Sequence, residues 1–365
     1  MNTELQHQIA LKLIPKIGDI HAKKLIAYCG GVEAVFKESA PNLQKIPNIG
    51  SAIIRQIKSA DVMSRAEKEI RFIEKHNITP LFYLDSEYPQ RLKHCDDGPI
   101  LLYYKGTANL NAAQILSIVG TRQSTEHGNE ICSEIISQLK DSNTLIVSGL
   151  AYGIDACSHK SALSNGMDTV GVLGHGLDRI YPSEHRKYAE KMVKQGGLLT
   201  EFTHGTKPNR ENFPMRNRIV AGISDATLVV ESKARGGSLI TAFLAIDYNR
   251  DVFAIPGRPK DENSAGCNML IKRNVAHLIN NADDIKQLMN WETESNNKIT
   301  AQKQLFVELS EQEETVVARM SSETISVDQL SIETNLPMSK TTSILLSLEF
   351  KGVVKSLPGK QYKLI

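Results

Sequence analysis

Hydrophobic and polar positions along the chain divide it into three segments. Residues 1–76 show helical spacing of apolar positions throughout, whereas from about residue 78 short β-branched runs alternate with amphipathic helical stretches. The β-branched runs are Ile115–Val119, Leu145–Val147, Thr169–Leu173, Leu198–Glu201, Thr227–Val230 and Val252–Ile255. This alternation predicts an α/β domain over residues 77–290, in which a Rossmann-like, doubly wound, mostly parallel sheet is covered by helices on both faces.

The third segment follows a polar stretch, residues 291–304, that is typical of a linker. Helical patterns over 312–320, 327–334 and 339–351 then precede two short strands within 353–364, joined at Pro358-Gly359. Three helices followed by a β-hairpin predict a winged helix over residues 305–365.

The N-terminal helical segment contains an internal repeat. Its motif Ile14–Gly18 (IPKIG) recurs as Ile46–Gly50 (IPNIG), 32 residues later, and a short helical pattern follows each copy. The repeat resembles a helix-hairpin-helix, and residues 1–76 are interpreted as a helix-hairpin-helix domain. Backbone N–H groups at such helix starts can bind a DNA phosphate, or the hairpins can simply pack the domain together. The nearby cations that favour DNA contact are Lys16, Lys23, Lys24 and Lys45.

Composition and charge narrow the function classes. Hydrophobic content of 41% and charged content of 23% are ordinary for a globular protein, and no run approaches the ~18 apolar residues of a membrane span. The five cysteines form no Cys-x-x-Cys pair, which argues against a zinc site and favours a reducing compartment. Without a signal-peptide pattern, we expect a cytoplasmic protein with no membrane partner.

The net charge of +2 is distributed unevenly. Residues 1–76 hold 12 Lys/Arg and 8 Asp/Glu, which gives +4, whereas residues 300–365 hold 7 and 8, which gives −1. A modest basic excess is weak support for nucleic-acid binding, because a lysine-rich helical surface has the same composition.

Glycine-containing loops follow three successive predicted strands. Ligands of open α/β sheets bind at the carboxyl ends of the strands, where glycines allow close backbone approach and helix starts favour anions. Neither G-x-G-x-x-G nor G-x-x-x-x-G-K-[ST] occurs, so a phosphate-bearing ligand is expected without a dinucleotide cofactor or ATP hydrolysis. The candidate contacts are Gly120, Thr121, Arg122, Ser148, Gly149 and Gly174.

A second candidate stretch runs from Lys207 to Arg218 and holds four basic residues and one acid. Arginine binds phosphate bidentately and an aromatic ring stacks on a base, which is the combination that exposed single-stranded bases require. Arg210 and Phe213 are therefore predicted DNA contacts. Arg216 and Arg218, with Asn217 between them, either contact DNA or stabilise the helix expected over Ile219–Ile223. No catalytic or metal-ligating constellation is predicted, and His159 and His175 are expected to be structural.

Several runs resemble the DprA family, also called Smf or DNA-processing protein A, over nearly the whole chain. The matching runs are Ser117–Arg122, Ser148–Asp155, Phe213–Gly222, Gly236–Ala242, Phe253–Gly257, Asn268–Asn274 and the segment from Tyr88 to Gly106. Two departures are visible: Arg210 stands where the family can have lysine, which keeps the charge, and His175 occupies a loop that usually has a smaller residue.

The resemblance implies a cellular function that the spacing of residues and motifs alone does not indicate. Proteins of this family bind single-stranded DNA that enters the cell in natural transformation, protect it, and help load the recombinase RecA. They dimerise through the Rossmann-like domain and need no cofactor. The resemblance also implies that the helical domain over residues 1–76 is SAM-like. By matching positions, Arg122, Arg210 and Phe213 are the implied DNA contacts.

Two rival classes are weaker. Nucleotide phosphoribohydrolases of the lysine-decarboxylase-like type carry an acid after a glycine-rich signature, and the corresponding run Arg235–Ala242 has none. A winged-helix transcription regulator would read bases from its recognition helix, but Ser339–Lys351 offers only Lys340 and Lys351. A protein contact or weak duplex contact is the preferred role of that domain.

Overall fold

The computed structural model describes residues 3–58, 61–291, 309–320, 324–351, 353–357 and 361–364. The chain divides into two compact units, Met1–Thr293 and Glu294–Ile365. The predicted linker over 291–304 lies outside the described residues except for Trp291, which is buried in the core of the first unit.

The first unit begins with a helical segment. Its helices are α1 (Thr3–Leu13), α2 (Asp19–Cys29), α3 (Val32–Lys37), α4 (Ala40–Leu43), α5 (Ser51–Ile57) and α6 (Asp61–Lys75). Both repeated motifs form tight turns, in which Lys16 and Asn48 adopt left-handed φ values of 67° and 70° just before α2 and α5. The apolar side of this segment packs on the first two strands of the sheet through Phe82, Leu101 and Tyr103.

A nine-stranded sheet forms the centre of the first unit in the described residues, in the order β1-β2-β6-β5-β4-β3-β7-β8-β9. The pairings β1–β2 and β2–β6 are antiparallel and the others are parallel. The strands are β1 (Thr79–Phe82), β2 (Leu101–Gly106), β3 (Ile115–Val119), β4 (Leu145–Ser148), β5 (Thr169–Val172), β6 (Gly196–Thr200), β7 (Ala226–Val229), β8 (Asp251–Ala254) and β9 (His277–Leu278). The predicted fold class is confirmed.

Helices cover both faces of this sheet. They are α7 (Gln90–Lys93), α8 (Glu126–Gln138), α9 (Ile154–Ser164), α10 (Arg186–Lys194), α11 (Asn212–Ile223), α12 (Gly237–Asp247), α13 (Ala265–Lys272) and α14 (Ala282–Met289). Alternate residues of β3 face opposite cores: Leu116 and Ile118 pack with α8, whereas Ile115 and Val119 pack with α11 and α12.

The chain order of the strands creates a topological switch point. The chain steps from β3 through β4 and β5 to β6, and then returns to place β7 beside β3 on the other side. In open sheets of this kind the ligand crevice lies at the carboxyl ends of the strands next to such a reversal. The loops after β3, β4 and β5 therefore lie side by side at one edge.

The second unit is a winged helix. It contains α15 (Glu311–Val317), β10 (Ile325–Ser326), α16 (Val327–Thr334), α17 (Met338–Phe350), β11 (Val354–Leu357) and β12 (Gln361–Leu364), with sheet order β10-β12-β11. The three predicted helices and the hairpin strands are present, and β10 adds a strand that the sequence pattern did not indicate. The predicted turn at Pro358-Gly359 lies outside the described residues. Throughout the described part of the chain, every helix is too short or too polar to cross a membrane.

Candidate nucleic-acid interface

Phe213 lies at the carboxyl edge of the sheet, against the loop that follows β5. A Cβ atom at Gly174 would lie 3.1 Å from Cδ1 of Phe213, so the glycine lets the ring settle on the backbone of that loop. The Asn212 amide donates hydrogen bonds to the carbonyls of Gly174 and Lys207, both at 3.0 Å. These bonds attach the start of α11 to the β5 loop.

The position of Phe213 corrects one detail of the sequence interpretation. The helix was expected to begin at Ile219, but α11 begins at Asn212, so Phe213 lies in its first turn and not in a loop. Pro214 is compatible with this start, because its missing N–H falls among the helix donors that have no intrahelical acceptor. Arg216, Asn217 and Arg218 consequently occupy helical positions.

Arg122 lies above Phe213. Its guanidinium carbon is 5.4 Å from the centroid of the Phe213 ring, and the ring of Tyr181 lies 5.9 Å from the same ring. Arg122 and Tyr181 are exposed, and Phe213 is half-buried. The structure therefore brings together Arg122 and Phe213, which are about ninety residues apart in sequence. We call Arg122, Tyr181, Arg210 and Phe213 the aromatic edge.

Arg210 stands three residues before Phe213, in the turn that leads into α11, and is exposed. Lys207 is exposed in the same segment. The segment is held by His204, whose backbone N–H and ring nitrogen Nδ1 both bond to the buried Glu69 carboxylate of α6. The helical segment thus positions the chain that presents these two cations.

Arg216 is buried next to the loop that follows β4. Its side chain is 4% exposed, and a Cβ atom at Gly149 would lie 1.5 Å from its Nη1, so only glycine fits beneath the guanidinium. Among the described residues the Nε of Arg216 has no hydrogen-bond partner. Burial lowers the pKa of Arg216, and the neighbouring Asp155 carboxylate opposes that shift. A buried guanidinium with an unused donor is an anion-binding feature.

Asp155 is the acidic counterpart of this arginine. It is buried in the first turn of α9 and accepts a hydrogen bond from the Ala151 N–H at 3.3 Å. Burial raises the pKa of its carboxyl, and Arg216 lowers it. Tyr181 and Asp155 were not singled out from the sequence. Tyr181 could have been predicted, because it is an aromatic residue in the loop that follows β5. Asp155 has no comparable feature in its neighbouring sequence that predicts a buried partner for Arg216.

The first glycine loop is arranged differently from the expectation. The N-terminus of α8, where a phosphate was anticipated, holds the carboxylate of Glu231, which accepts from the Thr125 N–H at 2.9 Å and the Thr125 hydroxyl at 2.5 Å. The Thr121 N–H donates to the Glu231 carbonyl at 2.8 Å. Gly120 packs against Ile154, since a Cβ there would lie 2.5 Å from that side chain. Of the candidates Gly120, Thr121 and Arg122, only Arg122 presents a charged group to solvent.

Ser148 is also inward-facing. It is fully buried, and its hydroxyl donates to the Ile118 carbonyl at 2.6 Å. This hydrogen bond joins the ends of β3 and β4, so the Ser148 hydroxyl supports the loop and does not face the ligand edge. Asn217 is half-buried on α11 between the two buried arginines.

Arg218 belongs to a buried ion network, which favours the structural one of the two roles expected for it. Its Nη2 lies 2.6 Å from Glu201 Oε2 and 3.2 Å from Asp19 Oδ2, and Nη1 donates to the Asp97 carbonyl. Lys12 lies 2.9 Å from both carboxylates. Burial lowers the pKa of Arg218, but the anions around it raise it above its ordinary value. Two cations and two anions thus join α1 and α2 to β6 and α11.

The same network orients the first repeated hairpin. Asp19 opens α2 and also accepts from the Ile100 N–H at 2.9 Å, and Lys23 donates to the carbonyls of Cys95 and Asp96 at 3.1 Å. The polar groups of this hairpin are therefore used within the first unit, which favours the packing interpretation for it. Lys16, Lys24 and Lys45 are exposed.

The two histidines nearest the ligand edge are buried. His159 is fully buried with Nδ1 2.7 Å from the Thr169 hydroxyl, and burial lowers its pKa to about 3. His175 is 1% exposed, and burial lowers its pKa as well. Both rings are therefore neutral near pH 7. His159 bonds to the first residue of β5, and His175 bonds within the loop that carries Gly174. Among the described residues no group of three His, Cys, Asp or Glu side chains could hold a metal ion.

Known proteins of similar sequence share this architecture. The family model for DNA recombination-mediator protein A matches residues 79–290, and a model for the DprA winged helix domain matches residues 301–360. The chain is 32% identical to Protein Smf of Synechocystis over 99% of both chains. It is 40% identical to the DNA processing protein DprA of Streptococcus pneumoniae over 55% of this chain and 71% of that protein.

Two solved structures are similar as well. The X-ray structure of DprA from Streptococcus pneumoniae superimposes with a TM-score of 0.65 at 31% identity and covers 79% of this chain and 98% of that one. The Helicobacter pylori DNA processing protein A, described for its single-stranded DNA binding mode, gives a TM-score of 0.53 at 27% identity and covers 58% of this chain and 95% of that one. From its sequence, its sheet and its winged helix, the chain belongs to the DNA recombination-mediator protein A (DprA/Smf) family.

Proposed function

We propose that this chain binds single-stranded DNA at the aromatic edge, without strong sequence preference. The observation that carries the proposal is the exposed guanidinium of Arg122 over the half-buried ring of Phe213. An unpaired base can enter beside Phe213 and Tyr181, while a phosphate is neutralised by Arg122 or Arg210. A duplex keeps its bases stacked inside, so the rings favour single strands.

Arg216 contributes to the proposed site from below. Its buried, incompletely hydrogen-bonded guanidinium raises the positive potential at the floor of the edge, next to Gly149. A charge held in a poorly solvated position acts on a nearby phosphate with less screening than an exposed lysine would. Arg218 is left out of the proposed contacts, because its donors are used inside the ion network.

The test is a salt titration of binding to labelled single-stranded and duplex oligonucleotides. Arg122→Ala and Arg210→Ala should each weaken binding and reduce the salt slope by about one. Phe213→Ala should cost roughly 1–3 kcal/mol with little change in slope, because stacking releases no counterions. Arg273→Ala is the matched control, since this exposed arginine follows the C-terminus of α13, at the opposite edge of the sheet. Equal affinity for duplex, or a Phe213→Ala variant that binds like the wild type, would refute the proposal.

We further propose that the bound strand is DNA entering the cell in natural transformation, which the protein protects in the cytoplasm and passes to RecA. The support is membership of a recombination-mediator family. The test is RecA strand exchange on DNA coated with single-stranded-DNA-binding protein. The wild-type chain should accelerate RecA loading and slow nuclease digestion. Both effects should be weaker with Arg122→Ala. A variant that lost DNA binding yet loaded RecA normally would contradict this order of events.

We also propose a homodimer formed through the Rossmann-like domain. Exposed apolar side chains on α12 support it, namely Ile240, Phe243 and Ile246, as does Leu278 on the edge strand β9. Light scattering should give twice the chain mass, and Phe243→Glu or Leu278→Glu should yield the monomer. A wild-type monomer at micromolar concentration would overturn the proposal.

Binding rather than catalysis is the proposed activity of the site. The run that would carry a hydrolytic acid in phosphoribohydrolases opens α12 as Gly237-Ser238-Leu239. Purified chain should release no base from nucleoside monophosphates and no phosphate from nucleoside triphosphates. Turnover that is abolished by a single substitution at the aromatic edge would establish an enzyme instead.

A further inference from the structure

Two cysteines face each other across the contact between α8 and α9. Cys132 on α8 is fully buried, and Cys157 on α9 is half-buried. Asn129 and Ser133 of α8 both contact the Cys157 sulfur, and Cys132 stands three residues after Asn129, on the same face of the helix. The two cysteines therefore lie at the same contact between α8 and α9.

Polar groups surround the outer sulfur. The Ser133 hydroxyl lies 3.5 Å from Cys157 Sγ and 2.8 Å from the Ser161 hydroxyl. The Cys157 thiol donates to the Asn129 carbonyl at 3.4 Å. Ser133 and Ser161 also line a surface hollow of about 570 Å³, together with Ser137, Lys160, Glu134, Ser164 and Asn165. A small reagent in this hollow therefore reaches the hydroxyls that contact Cys157.

The surroundings favour the thiolate of Cys157. The neighbouring Cys132 thiol lowers the pKa of Cys157 most, burial opposes this shift, and Ser133, Ser161 and Lys160 lower the pKa further, to about 6. The same contact and burial raise the pKa of Cys132. Thiolates, not thiols, react with electrophiles and peroxides, and a partly exposed low-pKa cysteine beside a second cysteine is the arrangement found in redox-sensitive proteins.

We propose that Cys157 and Cys132 form an oxidation site, at which a hydroperoxide converts the two thiols into a disulfide between α8 and α9. The Cys157 thiolate attacks a peroxide oxygen, so that an S–O bond forms, the O–O bond breaks, and water (or an alcohol) leaves after protonation. Cys132 then attacks the sulfenic sulfur, an S–S bond forms, and a second water leaves with the Cys132 proton. The sulfurs lose two electrons and the peroxide gains them.

The site lies one turn from the proposed DNA-binding loop. The Cys157 N–H donates to the Gly153 carbonyl, and Gly153 packs directly on the Arg122 backbone, where a Cβ atom would lie 2.9 Å from Arg122 Cα. The disulfide would therefore tie α8 to α9, whose N-cap residue Gly153 packs on the Arg122 backbone. The oxidation chemistry itself does not depend on DNA binding.

Alkylation of the reduced full chain with iodoacetamide at pH 6 is the first test, read by peptide mass mapping. Cys29 is the internal control, because it is also half-buried but burial and Glu38 raise its pKa. A pKa near 6 makes half of Cys157 thiolate at pH 6. After allowing for its lower intrinsic nucleophilicity, Cys157 should react about tenfold faster than a cysteine of ordinary pKa. Equal rates at the two cysteines would overturn the proposal.

Hydrogen peroxide supplies the second test. Treatment of the wild type should yield a Cys132–Cys157 disulfide-linked peptide that dithiothreitol removes, while Cys29 stays reduced. In Cys132→Ser, where no resolving thiol exists, dimedone should trap the sulfenic acid at Cys157. The proposal would be refuted if Cys157 is alkylated rapidly but peroxide yields no linked peptide. Over-oxidation of Cys157 to sulfinic acid in the wild type would refute it as well. Circular dichroism of Cys132→Ser checks that the variant is folded.

Discussion

A substitution at Arg218 can distinguish clearly between a structural role and a DNA-binding role of this side chain. In Arg218→Met the guanidinium is lost, and with it the contacts at 2.6 Å to Glu201 and 3.2 Å to Asp19. Glu201 is 3% exposed and one of its oxygens already has no partner among the described residues, so it then keeps only Lys12, at 2.9 Å. Removing one partner of a buried ion pair costs about 3–5 kcal/mol, because the remaining charge stays desolvated.

The expected effect is large enough to measure by thermal unfolding. In a domain of this size 1 kcal/mol corresponds to about 2–4 °C, so the Tm of the first unit should fall by about 10 °C. Oligonucleotide binding, measured well below both transitions, should keep the wild-type salt slope. The double variant Arg218→Met with Glu201→Gln should recover most of the lost stability, since no uncompensated charge is left. An unchanged Tm combined with a salt slope reduced by about one would refute the structural assignment and return Arg218 to the DNA site.

Three further outcomes follow from the geometry. Gly149→Ala places a methyl group 1.5 Å from the present position of Arg216 Nη1, so the guanidinium must move. We therefore expect oligonucleotide affinity to fall at least fivefold. Equal affinity of the variant and the wild type in filter binding would contradict the tight fit. Burial raises the pKa of Asp19, but Lys12 and Arg218 hold it below its ordinary value. The ionised carboxylate therefore stabilises the fold above about pH 4, and this stabilisation is lost as the pH falls through the lower, folded-state pKa. Asp19→Asn should flatten the acid limb of a Tm-against-pH curve, and a parallel curve would show that Asp19 is not the titrating group. Deleting residues 300–365, whose charge is −1 (7 basic and 8 acidic residues), should leave oligonucleotide binding largely intact, and a folded truncated chain that loses most of its binding would place the main site in the winged helix.

Local pattern was sufficient for the central architecture. The β-branched runs placed β3, β4, β5 and their neighbours to within one or two residues, because buried parallel strands are continuous apolar segments. The strand-end rule also predicts that Arg122 and Phe213 lie at one edge of the sheet, where the two side chains are in contact. The strands β1, β2 and β9 were not predicted. β1 and β9 have only four and two residues and carry little periodic signal, whereas β2 was missed although it begins with four buried apolar residues.

The roles of individual arginines were decided by tertiary structure. Arg216 and Arg218 stand two residues apart on α11, where they point in different directions, yet in sequence they form one basic run. Their fates depend on partners far along the chain: Gly149 lies beneath Arg216, and Asp19, 199 residues away, pairs with Arg218. The α8 N-terminus is likewise filled by Glu231, 106 residues after Thr125. Local periodicity is sufficient to predict which residues reach the sheet edge, because it fixes where the strands end. Which of those charges stay free for a ligand was decided only when distant segments packed, because the desolvation of a charge depends on everything that surrounds it.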